Sequence, residues 1–389
     1  MNETEEPKAK KRPNFFVRLL LLLVTAALVA GAVVLVVYHD QLNLDAVKRY
    51  FTYRKITANE SGQAELITHP GGSKIHFAAL GDGYLMCSDT GIRLYTSGGK
   101  QLSERLVSMD DPVLTSGGGL AAVYDAGGSS LFLYDKAEDL LDLELENAHS
   151  ILSARLNPSG YLALTAESSG YKGTVTVYGP DQEKRMALNY SSAFVMDAAV
   201  SSGNDKVAII TIGQANSAFE SRLLIYSLDE TEASVNVSLG NTVVLDLEYE
   251  PQAVWAVGES SLSVAAPNSG EVQSYSYNSR YLKDFSLGGD GYAALLLGRY
   301  RAGTAADLVS VDAAGQELGR IPMNDQVLSL SAAGRYIAVL TSDRLDIYTK
   351  ELTLYSSLTD TQNARSVVMQ EDGSAILVGS SSARIYLPG

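Results

Sequence analysis

Along most of this chain the apolar residues come in runs of roughly four to eight positions, the length of strands rather than of helices. Clusters of Gly, Asn, Asp and Ser separate the runs, which is the punctuation of tight turns. From residue 64 onward no long stretch keeps a helical period. The pattern predicts an all-β protein, and it repeats. "LGDGYLMC", "NPSGYLAL", "SSGNDKVAII", "GGDGYAALLL", "SAAGRYIAVL" and "QEDGSAILVG" are copies of one turn followed by an apolar run. "TSGGGLAAVY" and "EYEPQAVWAV" are less regular copies.

A further run follows each copy and commonly ends in tyrosine: "IRLYT", "LFLYD", "VTVYG", "LLIYS", "VQSYS", "LDIYT" and "RIYLP", with "DLVSV" as the exception. Most are followed by another alternating run, such as "QLSERLV". The unit is therefore four strands joined by short turns. Leading strands are expected to begin near Ile75, Val113, Ile151, Phe194, Val243, Leu282, Val327 and Arg365. Their spacing is near the roughly 40–45 residues of a four-stranded propeller blade. A single blade cannot bury both faces of its sheet, so blades must stack around an axis. The expected fold is an eight-bladed β-propeller, or a seven-bladed one if an irregular copy is not a blade. The last blade has only three strands, so "QAELITH", residues 63 to 69, is expected to supply the fourth and close the ring.

The amino-terminal region follows another pattern. From Leu19 to Tyr38 no residue is charged, enough to span about 30 Å of hydrocarbon as a helix. Lys8, Lys10, Lys11, Arg12 and Arg18 precede it, which places the amino terminus in the cytoplasm by the positive-inside rule. The competing reading is a cleaved signal peptide with small residues near Ala30; the apolar run exceeds the usual length of one. Beyond it, Leu44, Val47, Tyr50 and Phe51 share one side of a short amphipathic helix. The expected domains are a basic cytoplasmic tail (1–18), a transmembrane helix (19–38), a juxtamembrane helix or linker (39–62) and the propeller (63–389). The expected location is the cell membrane, single-pass, with the propeller extracytoplasmic.

Charge and reactive groups narrow the chemistry. A net charge of −15 over 389 residues excludes nucleic acid as a partner, because phosphates need a basic surface. The one cysteine, Cys87, lies in the apolar run "YLMCSD" and reads as a buried, inert thiol. The four histidines show no metal-ligand spacing. No catalytic residue, cofactor or metal ligand is expected, and the protein is read as not an enzyme. Asp197, Asp246 and Asp284 sit near the starts of leading strands and are the channel candidates. They either accept backbone hydrogen bonds that lock blade to blade or hold a cation.

The repeat resembles the wider superfamily of WD-type and quinoprotein-type propellers, without the Gly-His and Trp-Asp marks of WD repeats. Together, the basic tail, span, Asn-Leu-Asp and Lys-Arg-Tyr-Phe segment and propeller resemble an uncharacterised family of bacterial single-pass envelope proteins. "LAAVYDAGGSSLFLYD" is similar to that family's second blade. The resemblance implies topology and fold only.

Loop length supplies the remaining asymmetry. Three connections between second and third strands are long: "ESSGYKGT", "GQANSAFESR" and "GRYRAGTAAD". All emerge on one face of an antiparallel blade, opposite the "NPSG" turn. They carry Tyr171, Lys172, Phe219, Arg299, Tyr300 and Arg301, residue types enriched in protein interfaces. The leading expectation is a membrane-tethered scaffold whose partner is an envelope protein or the cell wall. The alternative is a sensor for a small ligand or cation in the channel, and last comes an extracytoplasmic hydrolase or lyase.

Overall fold

The computed structural model describes residues 19–26, 29, 44–54, 56–81, 83–136, 139–145, 149–215 and 217–388. Two compact units result, Met1–Lys55 and Ile56–Gly389. In the first, Leu19–Ala26 are helical. A second helix, Leu44–Thr52, has Asp45 in its first turn and Arg49 in its last, each matching the helix dipole. Tyr50 and Phe51 are exposed on it, their rings edge to face at 5.5 Å. Among the described residues no helix is long and apolar enough to cross a membrane. The expected tail, and most of the expected span at 19–38, fall outside those residues.

The second unit is an eight-bladed propeller of four-stranded antiparallel sheets. The inner strands of blades 1 to 8 are His76–Leu80, Pro112–Gly117, Ile151–Leu156, Phe194–Val200, Val244–Tyr249, Tyr281–Gly289, Val327–Ala333 and Ser366–Met369. Each lies at or within a residue of the start expected from turn spacing, so the seven-bladed alternative is excluded. Blade 5 needs a correction. Its third strand is Ser261–Ala265, and "VQSYS" is its fourth strand, Val272–Ser276. The missed strand is built of Ser, Leu, Val and Ala, carries no tyrosine, and follows a turn of only two residues, Glu259 and Ser260.

The second strands, and the third strands outside blades 3 and 4, are largely buried without alternation because neighbouring blades cover both of their faces. Gly83–Ser88, Gly91–Tyr95 and Tyr292–Gly298 are buried at every position. The core is accordingly a series of wedges between consecutive blades. One wedge joins Trp255, Val257 and Tyr277 of blade 5 to Leu295, Leu297 and Val309 of blade 6. Another joins Leu340 and Ile347 of blade 7 to Val367 and Leu377 of blade 8. Cys87 belongs to the wedge of blades 1 and 2, and burial pushes its thiol up to about 12.

The ring closes through the strand Gln63–Thr68, which pairs with Ser382–Tyr386 as the fourth strand of blade 8. Gln63 fastens the closure. Its Nε2 donates to the Asp360 carbonyl (2.8 Å), and its Oε1 accepts from Arg384 Nη1 (3.1 Å).

Candidate functional site

Five consecutive blades share a local feature absent from the other three. In blades 3 to 7 the inner strand carries a β-bulge near its start, at Leu152, Met196, Leu245, Lys283 and Leu328. The inner strands of blades 1, 2 and 8 pair without a register shift. A bulge adds one unpaired residue and re-aims the side chains around it. Its position at the channel mouth has two consequences, one apolar and one charged.

The apolar consequence is an arc of exposed side chains. Leu152, Leu245 and Leu328 are themselves bulge residues, and Phe194 and Tyr281 begin their strands. Phe194 is 55%, Leu245 54% and Tyr281 45% exposed. The strand starts are paired with the ends of second strands: Phe194 opposite Ile212 and Tyr281 opposite Gly298. The arc therefore shares a face with the connections between second and third strands, where the interface candidates lie.

Those six candidates stand on blades 3, 4 and 6. Tyr171 is exposed, and Lys172 reaches back to cap Phe194, its Nζ 5.1 Å from the ring centre and bonded to the Ser192 carbonyl. The expected loop around Phe219 is instead a continuation of the ladder. Strands Lys206–Ala215 and Ala218–Ser227 are ten residues each and pair out to Ala215 and Ala218. Phe219, opposite Gln214, projects near the tip of this long hairpin and is exposed. Arg299 lies 3.4 Å from the buried Asp307, which also pairs with Arg280 (2.5 Å) and Arg320 (3.2 Å). Tyr300 is exposed beside them, and the Arg301 carbonyl accepts a hydrogen bond from Lys283 Nζ.

The charged consequence lies just after each bulge. The residues there are Ser153, Asp197, Asp246, Asp284 and Ser329. Each aspartate accepts the amide of its own successor, Ala198, Leu247 or Phe285, at 2.8 to 2.9 Å. Asp284 also accepts the Leu330 amide of blade 7 (3.0 Å), and Ser329 accepts the Val367 amide of blade 8 (3.2 Å). These are blade-to-blade locks.

Asp197 and Asp246 differ. Both turn to Arg155 of blade 3, a residue that strand counting passes over. Its Nε lies 2.9 and 3.0 Å from the two Asp197 oxygens, and an Nη bonds Asp246. Ser153 adds a hydroxyl bond to Asp197. A cation inside the inner-strand run "ILSARL" is the signal that would have pointed to it. Burial opposes the Arg155 charge, yet the Asp197 and Asp246 carboxylates outweigh it and hold the guanidinium charged. Burial also pushes Asp246 up, against the pull of Arg155. Glu248, on the same strand as Asp246, is pushed up to about 7 by burial. Arg155 draws it down only partly.

The three carboxylates proposed for the channel thus do not converge. Two serve an arginine and the third serves backbone amides. Among the described residues no group of three or more His, Cys, Asp or Glu side chains is placed to hold a metal.

Residues 49–385 match the family described as "Family of unknown function (DUF5711)". No curated protein matches the chain. Among solved structures it is similar to the C-terminal WD40 domain of Sif2, with a TM-score of 0.61 at 13% identity, covering 84% of this chain and 99% of that one. It is similar to the computationally designed Ika8 protein, with a TM-score of 0.60 at 11% identity, covering 83% and 99%. BamB from Moraxella catarrhalis gives 0.50 at 13% identity, covering 83% and 97%. At such identities the likeness is one of fold.

Proposed function

We propose that this chain, which belongs to the DUF5711 family of unknown function, is a membrane-anchored scaffold that presents one propeller face to a protein partner. The observation that carries this reading is the arc of Leu152, Phe194, Leu245, Tyr281 and Leu328 around the channel mouth. Single exposed apolar residues are ordinary on any surface, but five near the inner-strand starts of five successive blades make a patch. The surrounding loops add Tyr171, Phe219 and Tyr300, so the face combines aromatic anchors with basic groups. The apolar span at 19–38 supports a tether to the membrane, and the basic residues before it support an extracytoplasmic propeller. An envelope protein is the partner this topology favours.

Two variants of the full chain test the face: Leu152→Ser with Leu328→Ser, and Tyr300→Ala with Arg301→Ala. Chemical cross-linking in native membranes should capture a partner with the unaltered chain and lose it with either pair. Unchanged capture by both, with folding intact by circular dichroism, rejects this face.

A further inference from the structure

We propose that the cavity between blades 5 and 6 seats an acidic segment of the partner polypeptide, held by an apolar anchor. The proposal rests on the scaffold reading above and names what one part of that face binds. The cavity has a volume of about 570 Å³ and is lined by Leu245, Glu259, Arg280, Tyr281, Lys283 and Arg301 among others. Leu282, which also lines it, packs against the wedge of Trp255, Tyr277 and Leu295.

The connection entering blade 6 forms one wall. Asn278 (φ 51°) and Ser279 (φ 64°) are both left-handed, and the Arg280 amide closes the turn on the Tyr277 carbonyl at 3.0 Å. A serine in that conformation is sparsely populated, and the turn folds the chain back so that Arg280 and Tyr281 both line the cavity. Blade 6 also contributes Arg301, whose carbonyl accepts a hydrogen bond from the Lys283 ammonium.

The charge balance at this spot is opposite to that of the chain, whose net charge is −15. Three cations and one carboxylate line the cavity. Arg280 is matched by Asp307, whereas Arg301 makes no ion pair among the described residues. Lys283 spends one donor on a backbone carbonyl and keeps two. An anionic ligand is therefore favoured. Leu245 and Tyr281 stand exposed in the same cavity, and a small anion or a lipid phosphate would leave them uncovered. A polypeptide segment with carboxylates beside an apolar side chain satisfies both requirements. The apolar contact supplies the anchoring, while the rim charges set register and on-rate.

The test places photoreactive p-benzoylphenylalanine at Leu245, in the cavity, and separately at Leu328, on the same face but outside it. The full chain is irradiated in native membranes and the linked product is sequenced by mass spectrometry. The expected result at Leu245 is a protein adduct whose linked peptide carries several Asp or Glu beside an apolar residue. Its yield should fall at least fivefold with Lys283→Glu and Arg301→Glu together, and with salt. Phospholipid at Leu245, a neutral or basic peptide, a second copy of this chain, or no adduct there overturns the proposal. An adduct at Leu328 with none at Leu245 sinks the cavity alone and leaves the face standing; silence at both positions sinks the face as well.

Discussion

Arg155 is the residue on which the channel wall depends. It answers two carboxylates from two different blades, and with Glu248 nearby the local charge is still negative. Removing one partner of such a group leaves the other charges uncompensated. Arg155→Leu should destabilise the propeller by on the order of 3 kcal/mol at pH 8, and by less near pH 4, where Asp246 and Glu248, both pushed up by burial, take up protons. Thermal melting of the detergent-solubilised chain at the two pH values checks this. Glu248 makes a prediction of opposite sign. Its folded value lies near 7, above the ordinary glutamate value, so between the two the folded chain holds a proton that the unfolded chain has released. Stability from this group is complete below the ordinary value and is lost as the pH rises towards 7. Glu248→Gln should therefore leave melting unchanged near pH 4 and raise it by a few degrees at pH 8. The corresponding free energy is on the order of 2 kcal/mol after allowance for partial exposure. An equal effect at both pH values would rule out the titration.

At the scale of strands, the turn Asn157–Gly160 shows how local chemistry and packing share residues. Asn157 Oδ1 accepts the amides of Ser159 and Tyr161, both at 2.9 Å, while its Nδ2 reaches the Ser201 carbonyl of blade 4 at 2.8 Å. The turn half of this was legible, because Asn-Pro-Ser-Gly is turn chemistry. Its half in joining blades was not. The closing strand was legible for a different reason: a three-stranded last blade leaves an edge, and an unpaired strand before the first blade can fill it. Ala64, paired with Ile385 in that strand, is where the closure is most simply broken. Ala64→Pro inserts a ring and removes a donor, at a cost on the order of 2–3 kcal/mol. Hydrogen exchange should then open blade 8 before the rest of the ring. Uniform loss across all blades would mean that closure is not a separate step. Two strand readings failed. Ser261–Ala265 hid because small residues buried on both faces give no period, and the long hairpin of blade 4 hid because its tip is polar enough to pass for a loop.

For the whole molecule, the prediction concerns topology. A chain anchored by its apolar segment should remain in the membrane pellet after an alkaline wash. Protease added outside intact cells should remove a carboxy-terminal tag and spare an amino-terminal one. Release of the chain by the wash, or protection of the carboxy-terminal tag, overturns the tethered-scaffold arrangement.

The sheet pairing decided for eight blades over seven, but the sequence by itself determined the repeating blade, the positions of the inner strands and the route of closure. Each of these follows from turn residues and apolar runs that act over a few neighbouring positions, and repetition makes the signal readable. It also located the aspartates at strand starts and the aromatic and basic residues of one face. Only the tertiary structure decided what those residues touch. Arg155, Asp197 and Asp246 belong to three blades and meet because the ring curves the inner strands toward one axis. The arc of apolar residues depends on bulges, which shift register by one residue without a mark in composition. The cavity between blades 5 and 6 likewise exists only where two blades of the ring come together, so no spacing along the chain announces it.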